Sequence, residues 1–174
     1  SRLSSFLAAD DNNNSADQLD VEAFLSGAVS DAQAKFSLRN VVELGDGSVK
    51  KDQVQALARL CEAVGVASGV AQQLADGLAR ATLASMAASG DQAALTKIGG
   101  QSGMAQAPLM PLHYEDLAWL GLDAGTLERL RPYVSLLPPS ASNIEVNANT
   151  ASKEVLAAVI PKMDLGTEIG RAHV

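Results

Sequence analysis

Apolar residues recur at helical spacing through the centre of the chain. Within residues 51–66 they fall at i, i+3, i+4 and i+7, which places them on one face of an amphipathic helix. The residues on that face are Val54, Leu57, Ala58, Cys61 and Val64. A second helix is predicted over about residues 68–88, with an apolar stripe of Val70, Leu74, Leu78, Ala81 and Met86. Gly65 and Gly90 are the predicted ends of these two helices.

Shorter helical patterns follow, separated by glycine and proline. One or two helical turns are predicted over residues 91–98, and the glycine-rich residues 99–103 are expected to be flexible. Pro108 and Pro111 bracket an extended segment. Three more helices are predicted: Tyr114–Leu120, stopped by Gly121; about 124–134, with Leu127, Leu130 and Val134 facing inward; and about 151–160, capped by Asn149 or Thr150 and ended by Pro161.

The ends of the chain carry strand patterns instead. Residues 21–29 and 31–39 are predicted as two strands or one bent ribbon, with Ala34, Phe36 and Leu38 on one face of the second. A turn is predicted at residues 45–48, and residues 144–147 form a further short strand. The order of strands, several helices, one strand and a final helix predicts an α+β fold, with a helical block inserted between strands of one sheet.

Composition narrows the choice of function. The chain has 174 residues, 47% of them hydrophobic and 3% aromatic, so alanine, leucine and valine fill the core of one domain or two small ones. The net charge of −7 opposes binding to nucleic acid. Cys61 is the single cysteine and is predicted to be a buried structural thiol. No apolar run approaches the roughly 18 residues of a membrane span, although Ser1 leaves a preceding anchor or signal segment open.

One loop has the spacing of a calcium site. Its oxygen-bearing residues occupy positions 1, 3, 5, 7 and 12 of an EF-hand-like count. They are Asp11, Asn13, Ser15, Asp17 and Glu22. Ala16 stands where the EF-hand loop needs glycine, and no helix is predicted on either side. A solvated linker is therefore the preferred interpretation, with calcium as the alternative and no other cofactor expected.

Three other side chains could carry chemistry or binding. His113 is the single histidine before residue 168 and lacks partners for a catalytic triad or a zinc site, so we expect it at the surface or at a helix start. Trp119 lies in an apolar helix and is predicted to pack in the core, with an exposed interface anchor as the alternative. Tyr133 is expected in the core or at its rim.

Four segments, in this order along the chain, resemble a known family. They are Asp31–Val41, Glu115–Leu122, Leu130–Pro138 and Ile144–Ser152, and with the helix pair between them the resemblance covers about residues 21–165. The chain is identified from them as a member of the general secretion pathway protein K family, the minor pseudopilins of type II secretion systems. Ala148 makes the last segment one residue longer than the usual form, and a β-bulge is predicted there.

The resemblance implies a pilin-like sheet with a large inserted helical domain of a SAM-like or helix-hairpin-helix-like type. It implies an N-terminal helix that anchors the protein in the bacterial inner membrane, with this region in the periplasm, and both that helix and the final strands are expected to be missing here. The implied partners are the minor pseudopilins of the I and J classes at the pseudopilus tip, with secreted proteins as a further contact. Some members bind calcium after the second helix, but residues 89–107 carry only Asp91, so that site is not transferred.

The expected division of the chain follows from this resemblance. Residues 1–44 belong to the pilin-like β region and residues 45–140 to the inserted helical domain. Residues 141–167 form a strand and a truncated second helical hairpin. Residues 168–174 match what a sequencing adapter encodes in one reading frame, so we interpret them as an artefact and expect the native sequence to continue beyond about Thr167.

The predicted function is a structural role in protein export, without catalysis. A helix-hairpin-helix DNA-binding module is the alternative, because residues 155–166 resemble such a hairpin. Lys162 and Met163 stand where that hairpin needs glycines to approach phosphate, which disfavours DNA. A hydrolase is a weaker alternative still, since the chain offers no paired nucleophile and base.

Overall fold

The computed structural model describes residues 33–137 and 145–160. The described part is mostly helical, with one two-stranded parallel sheet, and is compatible with the α+β class. Its elements in order are β1 (Phe36–Ser37), a first 3-10 helix (Leu38–Val41), α1 (Lys51–Ala63), α2 (Gly69–Ala88), α3 (Gln92–Ile98), α4 (Gly100–Ala105), a second 3-10 helix (Tyr114–Leu120), α5 (Ala124–Leu130), β2 (Val134–Ser135) and α6 (Lys153–Val159).

The two strands bring together points that are far apart in the sequence. Phe36 lies opposite Val134, and Ser37 lies opposite Ser135. The backbone N–H of Phe36 donates to the carbonyl of Tyr133 at 2.8 Å. Parallel neighbouring strands need a long crossover connection. Here the helices from α1 to α5 form that connection between β1 and β2.

The long helices form where the apolar period predicts them. α1 packs against both α2 and α6, and these three helices supply much of the buried core. The stripe positions Leu57, Cys61 and Leu74 are completely buried. Alanines on α2 such as Ala71 are buried as well, so the helices pack closely without large side chains. Arg59 donates from Nε and Nη2 to the carbonyl of Ala158 at 2.9 and 2.7 Å, which fixes the end of α6 on α1.

Several shorter elements differ from the predictions. Of the strand predicted over residues 31–39, only Phe36–Ser37 forms a strand among the described residues. The prediction is wrong at Leu38 and Arg39, where the chain turns into a 3-10 helix. Both Ser37 and Leu38 are buried, so this segment has no solvent face on which an alternating pattern could operate. Residues 99–103, predicted to be flexible, contain the start of α4. Gly99, with φ of 93°, separates α3 from α4. Residues 21–29 lie outside the described residues.

The predicted strand 144–147 is also not formed over its described residues, 145–147. The side-chain oxygen of Asn147 accepts a hydrogen bond from the Asn149 N–H at 2.9 Å. The backbone carbonyl of Asn147 accepts one from the Ala151 N–H at 3.0 Å. Asparagine that bonds to its own neighbouring backbone favours a turn over a strand ladder. Ala148 therefore lies in a turn and not in a β-bulge.

The caps of the last helices correct two more boundaries. Ser152, and not Asn149 or Thr150, caps α6 by accepting from the Val155 N–H. α5 ends at Leu130, earlier than predicted, and the buried side chain of Val134 comes from β2. Within residues 33–137 and 145–160, no helix is long and apolar enough to cross a membrane.

The turn before α1 is held by specific backbone geometry. The Glu43 N–H donates to the Ser48 carbonyl at 2.8 Å, and Val42 forms an antiparallel bridge with Val49. Gly47 at the tip has φ of +70°, and a Cβ there would lie 2.7 Å from the Leu83 side chain on α2. A side chain at Gly47 is thus disfavoured by both its backbone conformation and its neighbour.

We expect Gly47→Ala to lower the free energy of unfolding by about 1–3 kcal/mol, because alanine is strained in the left-handed region and contacts Leu83. Gly45→Ala is the matched control in the same turn, since its φ is not positive and a Cβ there meets nothing within 4 Å. The control should stay within about 0.5 kcal/mol of the parent chain. Urea unfolding followed by circular dichroism measures both, and equal effects would contradict the role given to Gly47.

Candidate functional site

A three-residue period runs through the segment 108–120. Every third residue from Pro108 onward is buried or partly buried, and the positions between are exposed except Met110 and Asp116, which are partly buried. The inward residues are Pro108, Pro111, Tyr114, Leu117 and Leu120. The first part of the segment has no regular secondary structure and the second is the 3-10 helix, in which side chains three residues apart lie on one edge. The segment therefore has one continuous buried edge.

Arg39 fixes the first part of this segment to the core. Its side chain is 4% exposed. Nη2 donates to the Pro111 carbonyl at 2.5 Å, Nη1 to the Met110 sulfur at 3.0 Å and Nε to the Leu137 carbonyl at 2.8 Å. No carboxylate among the described residues forms an ion pair with it, and burial lowers the pKa of the guanidinium. Arg39 thus acts as a hydrogen-bond donor that joins three separate segments.

The start of the second 3-10 helix is fixed by a carboxylate. Asp116 Oδ2 accepts from the backbone N–H of Leu112 at 3.0 Å and from that of His113 at 2.9 Å. These two backbone hydrogen bonds hold the pKa of Asp116 below its ordinary value. His113 precedes the helix and its side chain is largely exposed, so its predicted place at the surface and at a helix start is confirmed.

The far side of this helix is fixed to α5. The Tyr114 hydroxyl donates to the Leu127 carbonyl at 2.7 Å, and the Arg131 guanidinium lies 4.6 Å from the centre of the Tyr114 ring. Arg131 also bonds Glu115 at 2.9 Å and Glu128 at 3.3 Å. Burial raises the pKa of Tyr114 to about 12. The first turn of the helix is therefore held by Tyr114, Glu115 and Asp116, and at its end Gln73 Nε2 donates to the Leu120 carbonyl at 3.0 Å.

The prediction that Trp119 packs in the core is wrong. Its side chain is 52% exposed. Residues 117–120 are apolar throughout, so composition alone favours burial of Trp119. The three-residue period instead gives the inner edge to Leu117 and Leu120. Trp119 then falls on the same outer edge as Asp116. Leu109 and Leu112, 72% and 57% exposed, also point outward.

The other aromatic and thiol predictions hold. Tyr133 is partly buried and packs against the core, as expected. Cys61 is completely buried in α1, and this burial raises the pKa of the thiol to about 11. A thiol that stays protonated is a poor nucleophile. Cys61 is therefore a packing residue.

A crevice of about 660 Å³ opens beside the sheet. Apolar Phe36, Val146 and Val159 line it together with polar and charged side chains from the start of α1 and from Glu145. Near it, Ser37 and Ser135 occupy paired positions of β1 and β2, and their hydroxyl groups are buried without a hydrogen-bond partner. The charged side chains that line the crevice are Lys50, Asp52 and Glu145.

The calcium and DNA predictions fall largely outside the described residues. Asp11, Asn13, Ser15, Asp17 and Glu22 all precede residue 33, so the calcium loop stays a prediction. Within residues 33–137 and 145–160, no group of three or more His, Cys, Asp or Glu residues could hold a metal ion. Of the hairpin over residues 155–166, the structure describes only the part within α6 and Ile160.

A family model for type II secretion system (T2SS) protein K matches residues 34–139 of the chain. The matched stretch is more than half of the 174 residues. It contains β1, β2, every helix between them and the Arg39 hydrogen bonds. Among curated proteins, no match to the chain was found.

Arg39→Leu should lower the free energy of unfolding by about 2–4 kcal/mol, because it leaves the Pro111 and Leu137 carbonyls without their donor. Arg39→Lys should recover part of this loss, since an ammonium group cannot reach all three acceptors. Arg129→Leu is the control: Arg129 is exposed and donates once, to Gly65, so less than about 1 kcal/mol is expected. Chemical denaturation ranks the three variants, and a loss at Arg39 no larger than at Arg129 would refute the role given to Arg39.

The free energy of unfolding should fall as the pH rises from about 9 to about 11. The unfolded thiol of Cys61 loses its proton near its ordinary pKa of 9.0, whereas the folded thiol keeps it until about 11. The protonated thiol therefore contributes to the stability of the folded state below pH 9, and this contribution is lost as the pH rises from about 9 to about 11. Cys61→Ala should remove this part of the pH slope, whatever its effect on absolute stability. Denaturation midpoints at several pH values measure the slope, and an unchanged slope in the variant would contradict the assignment.

Proposed function

Because the chain belongs to the type II secretion system protein K family, we propose that it is a minor pseudopilin with a structural role at the tip of the pseudopilus. In this role it supports export of proteins across the outer membrane. The observation that carries the proposal is the family match over residues 34–139. A role in protein secretion follows from the family; the position at the tip is the further step proposed here.

The parallel pairing of β1 and β2 supports a pilin-like architecture. The two strands leave and re-enter the sheet on either side of the helices, as expected for a helical domain inserted in a larger sheet. A two-stranded sheet alone is marginal, and its outer edges can accept further strands. We propose the division that the sequence predicts: residues 45–140 form the inserted helical domain, with β2 where the chain returns to the sheet, and residues 1–44 and 141–167 are its flanks.

The proposed partners are the minor pseudopilins of the I and J classes, with secreted proteins as a further contact. The proposed location is the periplasm, with attachment to the inner membrane through a helix that precedes this region. In this proposal the protein acts by binding its partners through its surface, without catalysis. Cys61 is completely buried, and the Asp116 carboxylate beside His113 already accepts two backbone N–H groups.

The DNA-binding alternative gains no support from the described residues. The net charge of −7 makes phosphate contacts unfavourable. Arg59, the cationic side chain on α1 that reaches the hairpin region, is engaged with the Ala158 carbonyl. The Arg59 guanidinium therefore holds α6 against α1 through these two hydrogen bonds.

Deletion of the gene for this chain from its source bacterium should abolish secretion of type II substrates, which would accumulate in the periplasm. The gene supplied in trans should restore secretion. Co-expression with the periplasmic regions of the I and J class pseudopilins should yield a complex that contains all three chains, detected by size-exclusion chromatography with mass analysis. Normal secretion in the deletion strain, or salt-sensitive DNA binding with no such complex, would overturn the proposal.

A further inference from the structure

We propose that the outward side of the segment 108–120 is a docking surface for a basic, apolar segment of another protein. This surface, called the outer face below, consists of Leu109, Leu112, Glu115, Asp116 and Trp119. The inference goes beyond the proposed function, because it names the chemistry of a contact and rests on the surface alone.

Apolar exposure in the described residues is concentrated at this surface. Four large hydrophobic side chains are exposed among the described residues. Three of them, Leu109, Leu112 and Trp119, lie on the outer face, and the fourth is Ile160. Single exposed apolar residues are ordinary, but a cluster of them marks an interaction surface. Tryptophan is among the residue types most enriched in the side chains that contribute most to binding.

The outer face is held in place by the contacts beneath it. Arg39 binds Pro111 and Met110 on the inner side of the segment, which turns Leu109 and Leu112 outward. Asp116 binds the backbone of Leu112 and so joins the first part of the segment to the 3-10 helix. A surface that is already ordered loses little conformational freedom when a partner binds.

The negative charge near the outer face favours a positively charged partner. From Ile98 to Glu128 the chain carries four carboxylates and no lysine or arginine. Glu115 and Asp116 lie in the sequence between Leu112 and Trp119, and Arg131 is a cation that Glu115 and Glu128 share. The Asp116 side chain is 18% exposed and already accepts two backbone N–H groups, so it contributes little to this charge. Glu115 and Glu128 are 67% and 69% exposed and share the single cation of Arg131, so together they keep a net negative charge. A partner that covers the apolar residues therefore gains affinity by bringing lysine or arginine to Glu115 and Glu128.

The same charge disfavours three other occupants. Nucleic acid and an anionic membrane surface would both be repelled by the carboxylates. A second copy of this chain, with its own charge of −7, would place like charges together. A positively charged segment with leucine-like or aromatic side chains satisfies both the apolar and the acidic parts of the outer face.

Trp119 is the only tryptophan in the chain, so its fluorescence reports directly on the outer face. The probes are a synthetic amphipathic peptide of leucine and lysine and the same peptide with glutamate in place of lysine. The lysine peptide should shift the emission to the blue and protect Trp119 from acrylamide quenching, more strongly at low salt. The glutamate peptide should do neither. Equal effects of the two peptides, or none, would overturn the proposal.

Variants separate the outer face from general attraction to an acidic protein. The double variant Leu109→Ser with Leu112→Ser should bind the lysine peptide at least tenfold more weakly, and Glu115→Gln should weaken it severalfold. Ile160→Ser and Glu62→Gln change an exposed apolar and an exposed acidic residue elsewhere, and should bind as the parent chain does. Unchanged circular dichroism of the double variant shows that it is folded, since both leucines are exposed.

Two further outcomes would contradict the proposal: retention of full affinity by the double leucine variant, and a blue shift that grows with protein concentration in the absence of peptide. The second would show that another copy of the chain covers Trp119. Neither outcome bears on the secretion phenotype of the gene deletion, so failure of this inference is distinguishable from failure of the proposed function.

Discussion

The buried guanidinium of Arg39 is the interaction on which the rest of the structure depends. Arg39 lies in the first 3-10 helix, just after β1, and its three hydrogen bonds reach the segment before the second 3-10 helix and the residues that follow β2. A buried arginine without a carboxylate is stable only when its donors meet acceptors of good geometry. The carbonyls of Pro111 and Leu137 meet that need, so the position of the segment 108–120 is set by the same residue that closes the sheet.

That arrangement links packing to surface chemistry. Because the inner edge of the segment 108–120 is committed to the core, its outer positions are fixed in space whatever residues occupy them. Leucine and tryptophan at those positions lower solubility and contribute nothing to the core. The acidic residues between them compensate for the exposed apolar area in water, and they also restrict what can cover it.

The apolar pattern predicts α1 and α2 well, because a 3.6-residue period sustained over several turns is specific to an α-helix. Prediction fails where the period is three or where both faces are buried. Trp119 is misplaced in the core because residues 117–120 are apolar throughout, so no polar position marks the side that faces solvent. The strand prediction at residues 31–39 fails because burial of Ser37 and Arg39 depends on partners about a hundred residues away. The Arg39 hydrogen bonds, all to backbone or sulfur acceptors, leave no signal in a single sequence.

The pairing of β1 with β2 has a consequence for the order of folding. Contacts between α1 and α2 join near neighbours, whereas Phe36 meets Val134 only after a long loop has closed, and such closure carries an entropic cost that grows with loop length. The helices can therefore assemble from local contacts before the strands meet. During synthesis, α1 and α2 would begin to pack while residues 134–137 are still inside the ribosome. The sheet and the packing of α6 on α1, which joins Arg59 to Ala158, would form later.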